Sequence, residues 1–295
     1  MENFADKVVV ITGGASGVGR ALGVQFAQED AKVVLVDINQ DNLDQTKAEL
    51  AEHGLTVDTK TADVTSPDSM EALADYCFST YGNVHVLMNN AGVGLGESAR
   101  PIWTLPAKDW DWGIAVNAIG PVNGIRAFVP RMIESDVECL VVNTSSGNGG
   151  MNSLPTTPIY AASKAAMTSL TEVLHYQLLK AESKVKAACM FPGPHVVNSK
   201  ILNSAASRPD RFSNEDGSTN KPAAYKDFKE LAAASGVTFD LTEPEEVAEY
   251  TIAQMKEGKF WILPPNEYEN SKEKFIKRAE ELVNQINPDY PESGA

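Results

Sequence analysis

Short valine-rich apolar runs alternate along the chain with longer stretches in which apolar residues recur every three or four positions. Residues 7–12 (KVVVIT) and 32–37 (KVVLVD) are apolar without alternation, which predicts parallel strands buried on both faces. Between them, Val18, Leu22 and Phe26 lie at helical spacing within 18–30. The same reading predicts strands at 56–64, 85–89, 138–144 and 185–191, with a seventh at 260–263 (FWIL). Helices are predicted at 39–53, 67–81, 109–135 and 159–181. Pro67 stands at the start of one, and Gly120, Pro121 and Pro130 interrupt the long 109–135 stretch.

Strand and helix repeated in this way predict an α/β fold. The expectation is a Rossmann-type, doubly wound parallel sheet of about seven strands with helices on both faces. Two regions fall outside the alternation. Residues 198–220 are rich in Ser, Asn, Asp and Gly and read as a mobile surface loop, followed by helical patterns at 222–234 and 244–257. After Pro264 and Pro265, residues 267–286 place Phe275, Ala279, Leu282 and Ile286 on one helical face. The expected organisation is one nucleotide-binding catalytic domain over 1–265, with a substrate lid at about 195–240, and a C-terminal helical extension over 266–295.

The 295 residues are 43% hydrophobic and 22% charged, ordinary values for a soluble globular protein. Forty acidic against 25 basic residues leave a net charge of -15, which argues against a nucleic-acid partner. Cys77, Cys139 and Cys189 are scattered in apolar stretches and read as buried free thiols. The four histidines form no metal-binding cluster, so no metal is expected. There is no apolar run long enough for a membrane span and no secretory signal at the start, so a cytoplasmic location is expected.

The chemistry begins after the first predicted strand, at TGGASGVG (12–19). Gly13, Gly17 and Gly19 let the backbone turn tightly and approach a pyrophosphate, and the helix that follows offers N–H groups at its positive end; Ser16 and Val18 lie in the same loop. Asp37 ends the second strand, where a carboxylate accepts from both ribose hydroxyls and repels a 2′-phosphate. No basic residue flanks it, so NAD is preferred over NADP. The plain structural alternative is that Asp37 caps the next helix. Asp63 and Val64 end the third strand and could reach the adenine. Tyr160 and Lys164 are four apart at the start of a helix and share a face, where the ammonium can lower the phenol's pKa. Ser145 and Ser146 leave the fifth strand, at the end where open α/β sheets bind ligands.

Taken in order, TGGASGVG, NNAG (89–92), VNAIG (116–120), NTSS (143–146), YAASK (160–164) and FPG (191–193) resemble the short-chain dehydrogenase/reductase family, in its compact branch. The likeness covers residues 6–193 and extends more loosely to 264. It implies that Tyr160 is the general acid/base and that Ser146 hydrogen-bonds the reacting oxygen. It implies also that Lys164 holds the nicotinamide ribose and tunes Tyr160, while Asn117 anchors a water in a proton relay. Asn90, Ala91, Gly92, Pro192 and Gly193 would line the cofactor. Two departures stand out. The Ser146–Tyr160 interval is slightly long, which leaves Ser145 a lesser candidate. The Thr that many relatives carry after the Pro-Gly pair is missing, so Val196 would offer backbone contacts and Asn198 or Ser199 the hydrogen bond.

The chain also looks similar, from Asp109 to Ile133 and in its long C-terminus, to bacterial NAD-dependent dehydrogenases that oxidise benzylic alcohols of lignin-derived aryl ethers. A small-molecule alcohol or ketone is therefore the expected partner, bulky and apolar, with Trp103, Met151 and His195 beside it. Hydroxysteroid or terpenoid alcohols come next, then 3-oxoacyl groups, and a catalytically silent dinucleotide-binding regulator is the non-enzyme alternative. Family habit also implies a homodimer or homotetramer built through the two long helices.

Overall fold

The structure, a computed structural model, describes residues 1–97, 100–214, 225, 227–236, 240–265 and 269–288. Seven parallel strands form one sheet: β1 (Val8–Thr12), β2 (Lys32–Asp37), β3 (Val57–Thr61), β4 (Val86–Asn89), β5 (Cys139–Thr144), β6 (Val185–Met190) and β9 (Trp261–Ile262). Their order is β3-β2-β1-β4-β5-β6-β9. The direction of winding reverses at β1, where Val9 is in register with Val33 of β2 on one side and Val86 of β4 on the other. Two shorter strands, β7 (Val196–Val197) and β8 (Leu241–Thr242), pair with each other.

The period-2 geometry of a strand divides these runs between two cores. Val9, Ile11, Val33 and Leu35 face α1 (Gly17–Gln28), α2 (Gln40–Glu52) and α8 (Pro244–Lys256), where they meet Leu22, Phe26, Leu43, Leu50, Val247 and Met255. Val8, Val10, Val34 and Val36 face the other way. There they pack with Met70 and Leu73 of α3 (Pro67–Tyr81), Phe128 and Met132 of α5 (Gly120–Glu134), and Leu174 and Leu178 of α6 (Pro158–Lys180). Burial on both faces is the reason the strands read as unbroken apolar runs.

The long helix expected at 109–135 is three pieces. α4 (Ala107–Ile114) leads through a π turn (Ala115–Ile119) into α5, whose first turn holds Pro121. A proline there lacks only an N–H that the helix start can spare. Pro130 stays inside α5. The expected surface loop after Asn198 is ordered over its described first half, with 3-10 turns at Lys200–Ser207 and Asp210–Phe212. Its remainder, 215–220, and the expected helix start at Pro222 lie outside the described residues. α7 (Phe228–Ser235) begins at Asp227, whose carboxylate accepts from the Glu230 N–H. α9 (Glu269–Asn284) follows Pro265; Phe275 and Leu282 on it are exposed, as is Ile286, which lies beyond its end.

The described segment Lys200–Phe212 is fastened by a buried ion pair. Arg208 donates from Nη1 to Asp109 Oδ1 at 2.7 Å, with both side chains 2% exposed, and its guanidinium lies 4.9 Å from the Trp112 ring centre. Its Nε also donates to the Phe212 carbonyl at 2.9 Å. Removing one member of such a pair leaves an uncompensated buried charge, which costs about 3 kcal/mol or more. Asp109→Ala is expected to release the segment, so trypsin should cut after Arg211 far faster than in the parent; the bond after Arg208 leads into Pro209 and resists trypsin. Cleavage at the parental rate would show that this pair does not hold the segment.

Candidate active site

The site lies at the carboxyl ends of β1, β4 and β5, in a cleft of about 1170 Å³. Its floor is the glycine turn after β1. Gly13 (φ +66°) and Gly17 (φ +51°) adopt left-handed backbone, and a Cβ at Gly19 would collide with the Gly13 carbonyl and the Asn90 side chain. No side chain caps α1: Ser16 makes no capping hydrogen bond and the first turn holds no acid. Gly13, Ser16, Gly17 and Val18 line the cleft, so the positive end of the helix opens into it. Such a turn can cradle a phosphate-bearing group.

Thr12, which sequence reading did not single out, pins the opposite wall. Its Oγ1 accepts from the N–H groups of Asn90 (3.0 Å) and Ala91 (3.1 Å), while Asn90 Nδ2 donates to the Thr12 carbonyl at 3.1 Å. A Cβ on Gly92 would lie 3.4 Å from Asn117 Oδ1 and 3.6 Å from Lys164 Nζ, so this turn runs close to the reactive groups.

Asp37 reaches the cleft from the end of β2. Burial raises its carboxyl above the usual range, and the N–H groups of Asn39, Ala15 and Ile38 only partly oppose that. The helix-cap alternative does not hold, because Asn39 caps α2 by accepting from the Asn42 N–H at 3.0 Å. Asp63 and Val64 also line the cleft. Burial alone would raise Asp63, but hydrogen bonds from Arg211 and Thr65 outweigh it and hold the carboxyl low.

Ser146, Tyr160 and Lys164 converge on the same cleft. Lys164 is buried on α6, 5.7 Å from the Tyr160 ring centre, and donates to the Thr144 carbonyl at 2.8 Å. Burial brings its pKa down to about 8. Burial raises the Tyr160 phenol above its ordinary value, and the Ser146 hydroxyl only partly opposes that. Ser145 is turned away and buried, donating to the Lys164 carbonyl at 3.1 Å and sharing a 2.6 Å bond with Thr168. Ser146 is thus the serine that meets Tyr160. Asn117, in the π turn, accepts from the Val93 N–H (2.8 Å) and donates to the Val93 carbonyl (3.0 Å) and Ser163 Oγ (3.2 Å). It ties the wall after β4 to α6.

The segment after β6 places Pro192, His195, Val196 and Ser199 on the cleft, with Gly193 buried between them. The Val196 backbone belongs to β7, and the His195 N–H donates to Thr242 Oγ1 at 3.2 Å. Asn198 turns aside to donate to Glu243 at 3.3 Å, which leaves Ser199 as the hydroxyl on the cleft wall. Two expected substrate residues are not brought to that wall. Trp103 is 84% exposed on a surface turn, and Met151 offers its carbonyl to Arg278 at 3.0 Å. Leu95 and Leu154, of the same two loops, do line it, together with Trp112, Ile201 and Leu202.

Sequence reading also missed Asn148 and Glu97. Asn148 donates to Thr157 Oγ1 at 2.7 Å and accepts from the Leu154 N–H at 3.0 Å, shaping the long Ser146–Tyr160 connection. Glu97, 2% exposed, accepts from the N–H groups of Ile159 (2.7 Å) and Tyr160 (2.9 Å). No local motif marks either residue, since their partners lie up to 63 positions away. The three cysteines are free and buried. Among the described residues there is no His/Cys/Asp/Glu group suited to a metal ion, and no helix long and apolar enough to cross a membrane.

The short chain dehydrogenase family profile matches residues 7–208, and the chain belongs to that family of oxidoreductases. A C alpha-dehydrogenase of Sphingobium sp. (strain NBRC 103272 / SYK-6) is 30% identical over 98% of this chain and 89% of its own length. A "CLA biosynthesis dehydrogenase/reductase" of Lactiplantibacillus plantarum is 29% identical, covering 94% of both chains. A solved short chain dehydrogenase/reductase from Burkholderia phymatum, in complex with NAD, superposes with a TM-score of 0.86 at 34% identity over 100% of both chains.

Proposed function

We propose that this protein is an NAD-dependent dehydrogenase that interconverts a bulky apolar secondary alcohol and its ketone. The observation that carries the reading is the convergence of Ser146, Tyr160 and Lys164 on a cleft floored by the glycine cradle. Gly13, Ser16, Gly17, Val18 and Gly19 hold the pyrophosphate, Asp37 the adenosine ribose, and Asp63 and Val64 the adenine. Asn90, Ala91, Gly92, Pro192, Gly193 and Val196 surround the rest of the dinucleotide, whose nicotinamide ribose Lys164 holds.

When bound, NAD supplies the acceptor for the hydride of the carbinol carbon. Tyr160 takes the hydroxyl proton on its phenolate oxygen, and Ser146 orients the substrate oxygen by hydrogen bonding. The Lys164 ammonium, 5.7 Å from the Tyr160 ring centre, would favour the phenolate by its charge, against the burial that raises the phenol. Asn117 anchors the relay water, as the family resemblance implies, and its side-chain amide, engaged by Val93 and Ser163, fixes the wall around it. In reduction Tyr160 returns the proton.

The apolar wall of Leu95, Trp112, Leu154, Ile201 and Leu202 suits an aromatic alcohol, and the likeness to a C alpha-dehydrogenase favours a benzylic alcohol of a lignin-derived aryl ether. A panel of aryl, steroid, terpenoid and acyl alcohols, followed by NADH absorbance, tests this. Fastest turnover of a steroid or acyl alcohol would reject the aryl assignment. Asp37→Ala is expected to weaken NAD and to cut its advantage over NADP by about tenfold, the effect of losing roughly 1.4 kcal/mol of discrimination. An unchanged ratio of the two affinities would show that Asp37 does not set the preference.

The exposed Ile133 on α5 and Val173, Tyr176 and Leu179 on α6 support assembly as a dimer or tetramer. Leu174 and Leu178 belong to the core instead.

A further inference from the structure

We infer that Glu97 is a positioning residue of the reaction: its buried carboxylate holds the first turn of α6, and so places the Tyr160 phenol against Ser146. The inference rests on the reading of Tyr160 as the acid/base.

A helix leaves its first N–H groups without partners, and a capping side chain normally takes one or two of them. At α6 the residue in the capping position, Thr157, makes no capping hydrogen bond. Its hydroxyl is held by Asn148 Nδ2 at 2.7 Å. Pro158 has no N–H to satisfy. The next two donors belong to Ile159 and Tyr160, and Glu97 takes one with each carboxylate oxygen, at 2.7 and 2.9 Å. A carboxylate at this end also meets the positive pole of the helix.

The carboxylate comes from a distant part of the chain. Glu97 follows the Asn90–Gly92 turn that lines the dinucleotide side of the cleft, and its own main-chain carbonyl accepts from the Arg100 N–H at 3.1 Å. The wall between is fixed at Val93 by Asn117 and at Gly94 by Ser204 Oγ, 3.0 Å away. Glu97 is therefore a strut from the dinucleotide wall to the residue that handles the proton. Because it grips the backbone of Tyr160 itself, its loss moves the phenol first. A misplacement of about 1 Å can cost ~10²-fold in rate.

The test compares Glu97→Ala, Glu97→Gln and Tyr160→Phe with the parent, measuring kcat, KM for the alcohol and NAD affinity by fluorescence. Glu97→Ala is expected to lower kcat by about 10- to 100-fold with NAD affinity within about threefold. Glu97→Gln keeps one acceptor oxygen for one of the two N–H groups and should recover part of the rate; it also serves if the alanine variant fails to fold. A kcat within twofold of the parent in the alanine variant would overturn the inference. So would a joint fall in kcat, NAD affinity and melting temperature that glutamine does not rescue. Full activity in Tyr160→Phe would overturn the acid/base reading, and this inference with it. A dead Tyr160→Phe beside an unaffected Glu97→Ala would overturn this inference alone.

Discussion

Tyr160→Phe is expected to lower kcat by about 10²- to 10⁴-fold while NAD affinity stays within about twofold, as measured by steady-state rates and by titration of the dinucleotide. The substitution removes only the hydroxyl. The ring keeps its place at the start of α6, because the backbone is held there by Glu97. Lys164 keeps its bond to the Thr144 carbonyl, so the ribose side of the site is left intact. What disappears is the hydroxyl that faces Ser146 and would exchange a proton with the substrate oxygen. Because burial holds the phenol above its usual range, alcohol oxidation by the parent should speed up as pH rises towards that pKa. Ketone reduction needs the protonated phenol and should slow over the same range. A phenylalanine variant with most of its activity would mean that another group moves the proton.

The second large effect is expected from Gly19→Ala. The added methyl group points at the Gly13 carbonyl and the Asn90 amide, neither of which can move without opening the cradle. Asn90 is fixed to Thr12 by its own amide and by its N–H. Overpacking of this kind costs about 1–3 kcal/mol. If the cradle absorbs the distortion, NAD affinity falls by about 10- to 100-fold. The sheet should persist, since its cores lie below the turn, and circular dichroism would check that. Unaltered NAD binding would show that the pyrophosphate does not rest on this turn.

Much of this site was legible in the sequence because its parts are local. The glycine turn, Asp37 at the end of β2 and the Tyr160–Lys164 pair each lie within a few residues, on elements that the apolar runs reveal. Val9 and Val10 could be assigned to strand β1 because both faces of that strand are buried, though the two cores they serve were visible only in the fold. The motif favoured Ser146 and left Ser145 a lesser candidate, and adjacent residues on extended backbone point to opposite sides. Register decides it, sending Ser145 to Thr168 and Ser146 to Tyr160.

What stayed hidden depends on contacts distant in sequence. Glu97 and its Tyr160 partner are 63 positions apart, and Asp109 and Arg208 are 99 apart. A lone acid in a loop and a lone arginine in a polar stretch carry no periodic signal. For the same reason the region after Asn198 reads as loose, yet a buried ion pair fastens it over Trp112. The substrate wall was read in part only. Trp103 looked like a pocket residue by its apolar bulk, but its turn leaves it at the surface.

The central claim is hydride transfer from a secondary carbinol to NAD, and isotope transfer tests it most directly. An aryl secondary alcohol deuterated at the carbinol carbon would be incubated with the protein and NAD, and the reduced dinucleotide analysed by mass spectrometry. The account predicts one deuterium in the reduced dinucleotide for each ketone formed. Ketone formed with unlabelled reduced dinucleotide, or with none, would contradict it.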